Sequence, residues 1–311
     1  MKQKIFTFLL IAAAGLTACK KNNDNQPDIR EYDQQQIQAY ISANGLSDFS
    51  ADTTKDGTGT TGMYYKIITQ GTGDTLKYAD KVSMVYTLRS FDGKYISSDT
   101  IANHYNDYLG HLVNGNLPKG LQLAIHNILQ YKGSSMRLLI PSRLAYGVNG
   151  FGSGSITNVN TRIAGNQSLD YYVHIIGDQD VYDDKVINNY LTANNLTGYT
   201  KDVLGYYYKI ITPGTGQSGE ITDYATITTT YSGSLLNGFA FDESAKTTAT
   251  TLNPYSLISG IQNALTKYAK TGTSISVIVP SSLGYGTNIQ NSIPANSVLR
   301  FEFQITEVKQ P

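Results

Sequence analysis

From Leu299 to Ile305 the chain alternates apolar and polar residues without a break, with Leu299, Phe301, Phe303 and Ile305 on one side and Arg300, Glu302 and Gln304 on the other. A period of two belongs to a strand with one face on a core. Thr226–Tyr231, β-branched with an aromatic end, predicts a second strand. Asn237-Gly238 then supplies the positive-φ pair of a tight hairpin turn, and Phe241-Asp242 ends the return segment. Val277–Gly286, V-I-V-P-S-S-L-G-Y-G, reads as a buried strand broken by Pro280 and a loop that holds Tyr285 between glycines. Helical spacing is seen at Ile37, Tyr40 and Ile41, and again at Ile187, Tyr190 and Leu191, with Asn-Gly or Asn-Asn ending each run. Leu257, Ile261, Leu265 and Tyr268 predict one more helix, and Leu121, Ile125 and Leu129 predict a single amphipathic helix over Leu117–Tyr131.

The pattern occurs twice. E-Y-D-Q-Q-Q-I-Q-A-Y-I-S-A-N-G-L from Glu31 matches V-Y-D-D-K-V-I-N-N-Y-L-T-A-N-N-L from Val181, which puts Tyr190 at an offset of 150 from Tyr40. Tyr64 and Tyr207 each open a Y-Y-K-I-I-T run that leads into a glycine turn, and Asp92-Gly93 repeats the hairpin turn of Asn237-Gly238. Met136–Pro141 and Leu169–Ile176 supply the closing strands of the first copy, and Leu144-Ala145-Tyr146-Gly147 mirrors Leu283-Gly284-Tyr285-Gly286. The implied fold class is α+β: two units, each a curved antiparallel sheet around one short helix and each preceded by a short N-terminal helix. That leading helix either packs on its own unit or assists pairing of the two. The expected divisions are a signal peptide at 1–18, a tether at 19–30, a first domain at 31–180 and a second at 181–311.

The N-terminus adds an address. Lys2 and Lys4 precede an apolar run, Ile5–Gly15, and Leu16-Thr17-Ala18-Cys19 has the form of a bacterial lipobox. The apolar stretch is too short to span about 30 Å of hydrocarbon. Cys19 is therefore the expected lipidation site, and it would anchor the chain in the bacterial cell envelope, at the outer membrane on its periplasmic or surface face. Asn, Asp and Gln between Lys20 and Arg30 suit a disordered tether. As the only cysteine, Cys19 also excludes an intrachain disulfide and a thiolate metal cluster.

Charge narrows the classes further. Lys plus Arg and Asp plus Glu both number 24, and no basic stripe accompanies the aromatics, so no nucleic-acid partner is expected. The four histidines all lie in the first copy, none with a second His at ligand spacing, and no metal is expected. Tyr is abundant, which alone would suit a structural or glycan-binding lipoprotein.

Three segments, Y-S-G-S-L-L-N-G-F-A-F-D from Tyr231, P-S-S-L-G-Y-G from Pro280 and I-P-A-N-S-V-L-R-F from Ile293, resemble in order and spacing the patterns of the FKBP-type peptidyl-prolyl isomerases. The resemblance covers roughly residues 206–308. It implies an isomerase that needs no cofactor, assists the folding of exported proteins and takes prolyl-containing polypeptides as clients. Asp242, Tyr285 and Tyr231 would be its catalytic groups, with Tyr285 donating to the substrate carbonyl and Asp242 holding Tyr231 and setting the field at the rim. The proline ring would sit among Tyr231, Phe241, Leu257, Ile258, Ile261 and Phe301, and Ile293, also substrate-binding, would close the lip. The family usually has Trp where this chain has Ile261, commonly Val-Ile where Leu257-Ile258 stands, and a second proline at Ala295.

Aligned by count, the first copy has Ile96-Ser97 for Phe241-Asp242 and Ile163-Ala164-Gly165-Asn166 for Ile293-Pro294-Ala295-Asn296. It also carries a longer Gly-rich stretch, F-G-S-G-S-I-T-N-V-N, expected to form a flexible flap. The expected catalyst is the second copy, with a degenerate site in the first. The alternative is a non-catalytic FKBP-like peptide-binding or chaperone lipoprotein. Oligomeric state is unknown from sequence.

Overall fold

Asp28 and Asp178 stand at the N-caps of two fifteen-residue helices, their carboxylates accepting from Arg30 N and Val181 N, and each helix leads into an antiparallel sheet. The computed structural model describes residues 28–152, 161–244 and 248–311. The expected lipobox with Cys19, nearly all of the tether and most of the Gly-rich flap lie outside these residues. In the first domain the order is α1 (Ile29–Ala43), β1 (Ser50–Ala51), β2 (Tyr64–Thr69), β3 (Lys81–Ser90), β4 (Ile96–Ser97), β5 (His104–Tyr108), α2 (Lys119–Ala124), β6 (Ser135–Ile140) and β7 (Leu169–Ile175). The second repeats it with α3 (Gln179–Ala193), β8 (Thr200–Lys201), β9 (Tyr207–Thr212), β10 (Thr226–Leu235), β11 (Ala240–Glu243), β12 (Thr250–Leu252), α4 (Ser259–Tyr268), β13 (Ser274–Val279) and β14 (Leu299–Lys309).

The two sheets share one topology. The first runs β1-β2-β6-β7-β3-β4 with β5 also on β3, and the second β8-β9-β13-β14-β10-β11 with β12 also on β10, all pairs antiparallel. Strands β6 and β13, under the leading helices, are buried on both faces, which explains their nearly unbroken apolar sequences. Ile275, Val277 and Val279 of β13 face the inner core with Leu299, Phe301, Phe303 and Ile305 of β14 and Ile261, Ala264 and Leu265 of α4. Ile278, one residue out of phase, faces the opposite way onto Ile187 of α3. Met136, Leu138 and Ile140 against Leu139 and Ile37 repeat the arrangement in the first domain. The leading helices thus cover the outer faces of their own sheets.

Three expectations on local structure are corrected. The boundary at 180/181 falls inside α3; the chain leaves the first sheet at Ile175 and re-enters helix at Asp178, so the division lies at Ile176-Gly177. The helix over Leu117–Tyr131 is shorter and not uniform. Lys119–Ala124 is α-helical, Ile125–Leu129 forms a wider π turn, and Gln130 at φ 63° ends it, while Leu121, Ile125 and Leu129 are all fully buried. Leu257 is not in a helix at all: Leu257 and Ile258 are extended and α4 starts at Ser259.

The domains meet through both polar and apolar contacts. Asn237 Nδ2 donates to Asp99 Oδ2 at 2.7 Å, Ser83 Oγ donates to Gln179 Oε1 at 3.1 Å, and Ile101 packs on the second core. Among the described residues no helix is long and apolar enough to cross a membrane.

Candidate functional site

The hairpin β10–β11 brings the first groups together. Leu235 O accepts from Gly238 N at 3.0 Å and Leu235 N donates to Phe239 O at 2.9 Å. Only Gly238, at φ 89°, has positive φ, so the turn is not the two-residue form expected from Asn237-Gly238; three residues separate Leu235 from Phe239, and Gly238 takes the left-handed position. On the return strand the ladder pairs Gly233 with Asp242 and Ser234 with Ala240, leaving Phe241 as the extra residue of a bulge. The bulge turns Phe241 inward, edge-on to Phe301 with centroids 5.6 Å apart. Gly233 makes this possible. A Cβ there would lie 2.7 Å from Phe241 Cε2 and 2.9 Å from Phe301 Cε1. Sequence reasoning did not single out Gly233, although a lone glycine inside a strand signals close approach of another group.

The apolar residues named from the sequence all belong to the core cluster of the second domain. Ile261, Ile293 and Phe301 are buried in the second core, and Tyr231, Phe241, Leu257, Ile258 and Tyr285 pack half-buried against it. Phe303, not named from the sequence, stacks on Tyr231 at 5.7 Å and on Phe301 at 6.0 Å. Asp242 is exposed at the rim, where its Oδ2 accepts from the Tyr231 hydroxyl at 3.0 Å. Burial first, then the hydrogen bond and charge of Asp242, push the Tyr231 phenol up to about 12. Burial raises Tyr285 as well, and the Asp242 charge adds to it. Both phenols are therefore proton donors at neutral pH. The arrangement is an apolar, aromatic-walled site with two O–H donors and one carboxylate, and the chemistry expected of it is binding and polarisation of a neutral group. Among the described residues there is no cluster of three or more His, Cys, Asp or Glu that could hold a metal.

Residues 217–306 match the family model of the FKBP-type peptidyl-prolyl cis-trans isomerases. The second domain is an FKBP-type domain. The chain is 41% identical over 117 residues to the FKBP-type peptidyl-prolyl cis-trans isomerase FkpA of Buchnera aphidicola subsp. Schizaphis graminum, an alignment that covers 37% of this chain and 46% of that one. It is 36% identical over 124 residues to the peptidyl-prolyl cis-trans isomerase Mip of Coxiella burnetii, over 39% of this chain and 53% of the relative. The chain thus spans about half the length of these curated relatives. The crystal structure of FkpA from Escherichia coli aligns over 42% of this chain and 62% of its own with 25% identity and a TM-score of 0.37.

The first FKBP-like domain has a cavity of about 240 Å³ at the corresponding place, lined by Tyr86, Tyr95, Tyr146, Phe151, Ile163 and Tyr171 among others. The residue-for-residue match of Ile96 to Phe241 is corrected here. Ser90 N donates to Tyr95 O at 2.9 Å, so this hairpin loop is one residue longer than its counterpart. The ladder then runs unbroken, Leu88 to Ser97 and Arg89 to Ile96. Without a bulge Ile96 points outward, 56% exposed, and Tyr95 enters the cavity in its stead. Leu88, buried, stands where Gly233 leaves room in the second domain. The aromatic wall is kept and the acid is absent: Ser97 bonds to Asn103. Of the expected flap only its first two residues are described; Phe151 stacks on Tyr146 at 4.6 Å and bridges to Ile163.

Proposed function

We propose that the chain is a peptidyl-prolyl cis-trans isomerase acting through its second domain. The observation that carries this reading is the junction of Tyr231, Asp242 and Tyr285 at the rim of one aromatic cluster, in a segment that matches the isomerase family. Rotation about an X-Pro bond faces a barrier of about 18–20 kcal/mol, which arises from charge-separated resonance that water stabilises. A proline ring held between Phe241, Phe301 and Ile261 would leave its imide stripped of water, and a twisted imide would fit better than a planar one. The Tyr285 O–H would donate to the substrate carbonyl, while Asp242 fixes Tyr231 and sets the field at the edge. No proton need leave either phenol, which suits their raised pKa values. Leu257, Ile258 and Ile293 would close the lip.

The test is isomerisation of a prolyl tetrapeptide by the full chain. Turnover that falls in Asp242→Ala, Tyr285→Phe and Phe301→Ala proteins that remain folded supports the proposal. Absence of turnover with retained peptide binding would favour the peptide-binding alternative.

As to place, the lipobox supports an envelope lipoprotein anchored through Cys19, with exported prolyl-containing polypeptides as clients. A Cys19→Ser protein should appear in the soluble fraction, and its retention on washed membranes would count against the anchor.

A further inference from the structure

The residues matched to the isomerase family begin at 217, well after α3. Yet α3 reaches into the site through one side chain. Asp183, 0% exposed, accepts from Ser281 N at 2.7 Å through Oδ2 and from Gln179 Nε2 at 2.8 Å through Oδ1. Ser281 opens the 3-10 turn Ser281–Leu283 that leads to Tyr285. Its carbonyl accepts from Gly284 N and Gly286 N, at 3.0 and 2.9 Å, and Gly286 O in turn accepts from Asn296 N at 2.7 Å, beside the Ile293 lip. One buried carboxylate therefore holds the end of the segment that carries both Tyr285 and the lip. A second tie, Ser282 Oγ to Asp180 Oδ1 at 2.6 Å, runs from the same helix on the exposed side.

The device is built twice, which argues against accident. In the first domain Asp33, 2% exposed, accepts from Ser142 N at 3.1 Å and Arg143 N at 3.2 Å, at the turn that leads to Tyr146. The copies differ in what backs the carboxylate. Gln179 holds Asp183, whereas its counterpart ahead of Asp33 is Ile29, exposed and apolar. Gln179 is itself held by the first domain: its Oε1 accepts from Ser83 Oγ, which also contacts His104 Nε2 at 2.9 Å and accepts from Asn296 Nδ2 at 3.2 Å.

A carboxylate in this position is a poor choice for stability alone. It is buried and in no ion pair among the described residues, and burial raises its pKa. It does have an exact use as an acceptor for two N–H donors whose positions it fixes relative to one another.

We propose that Asp183 is a positioning residue for the isomerase site: it sets the turn that presents Tyr285, and through Gln179 and Ser83 it makes the first domain a brace for the second. The inference rests on the function proposed above. It assigns to the first domain a mechanical part in catalysis that needs no ligand in its own cavity.

The test is a double-mutant cycle in the full chain on one prolyl tetrapeptide. Asp183→Asn keeps one carbonyl oxygen but leaves one of the two N–H donors facing an amide NH2, and kcat/KM should fall about tenfold, mainly in kcat. In a Tyr285→Phe background the same change should cost less than about twofold, because the group it positions is already gone. Additive losses would assign Asp183 a purely structural role and overturn the proposal. Ser83→Ala, which removes only a hydroxyl at the domain boundary, should lower kcat about twofold to threefold; an unchanged kcat would remove the first domain from the brace. Hydrogen exchange of the peptide containing residues 281–286 gives a readout independent of turnover. It should quicken about tenfold in Asp183→Asn. Unchanged exchange overturns the proposal even if the wild-type chain proves inactive, whereas quickened exchange in an inactive chain overturns only the functional reading.

Discussion

The two FKBP-like domains reach the same aromatic enclosure by different local routes. In the second, a short turn is followed by a bulge that swings Phe241 inward over Gly233. In the first, a turn one residue longer feeds an unbroken ladder, and Tyr95 swings inward beside Leu88. The number of residues between the turn and the wall is therefore not what is preserved. What is preserved is an aromatic ring at one point in space, reached once by a bulge and once by a longer loop. The carboxylate did not survive the exchange: Asp242 bonds to Tyr231 in one copy, while Ser97 is turned to Asn103 in the other. Enclosure and polarisation are thus separable features of this fold.

Four experiments press on that comparison. The largest effect is expected from Gly233→Leu, which gives the second domain the first domain's residue. The added side chain would meet both Phe241 and Phe301, overpacking costs about 1–3 kcal/mol, and isomerase activity should drop by up to ~100-fold. Activity within twofold of wild type would show that the Phe241 wall is dispensable. Next, truncations in the first domain should separate Tyr95 from Ile96. Tyr95→Ala should cost about 2–3 kcal/mol in denaturant unfolding, and Ile96→Ala, on the exposed face, no more than about 0.5 kcal/mol. Equal costs would refute the reassignment of the wall. Asp242→Asn comes third, with about a fivefold loss of kcat/KM, since an exposed carboxylate acts through solvent-screened charge; a loss that does not shrink at high salt would mean that geometry, not field, is at work.

The smallest effect is on acid stability, and it belongs to the second domain. Burial alone would raise the Asp202 carboxyl, but hydrogen bonds from Lys267 at 2.7 Å and Tyr268 at 2.5 Å, with Leu204 N, hold it down at about 2. A carboxyl lowered by folding adds stability that is present above its unfolded value near 3.8 and is lost as pH falls toward about 2. Circular dichroism should show the second domain weakening through that window, and Asp202→Asn should flatten the dependence.

Much of this was legible in the residues. The repeat, the alternation in β14 and the three motif segments place the sheet, and with it Tyr231, Phe241, Asp242, Tyr285 and Phe301, because a strand's period fixes which side chains share a face. What escaped followed from quantities that a period does not carry. A bulge changes facing without changing composition, so Ile96 was matched to Phe241 when Tyr95 holds the wall. Asp183 looks, in D-D-K, like the solvated face of a helix; only the approach of the Ser281 turn buries it. The helical reading of Leu257 failed because its spacing continues that of Ile261 and Leu265 while the backbone there is extended.

The covering of each sheet by its leading helix bears on how the protein can be divided. A piece trimmed to 217–306 would lose α3, β8 and β9 together. Strand β13 would become a bare edge, its N–H and C=O groups toward β9 unpaired, and Ile278 and Val298 would face water. A flat apolar edge of that kind is a template for another chain. A piece that keeps this edge paired and this face covered begins at Asp178, where the helix is capped.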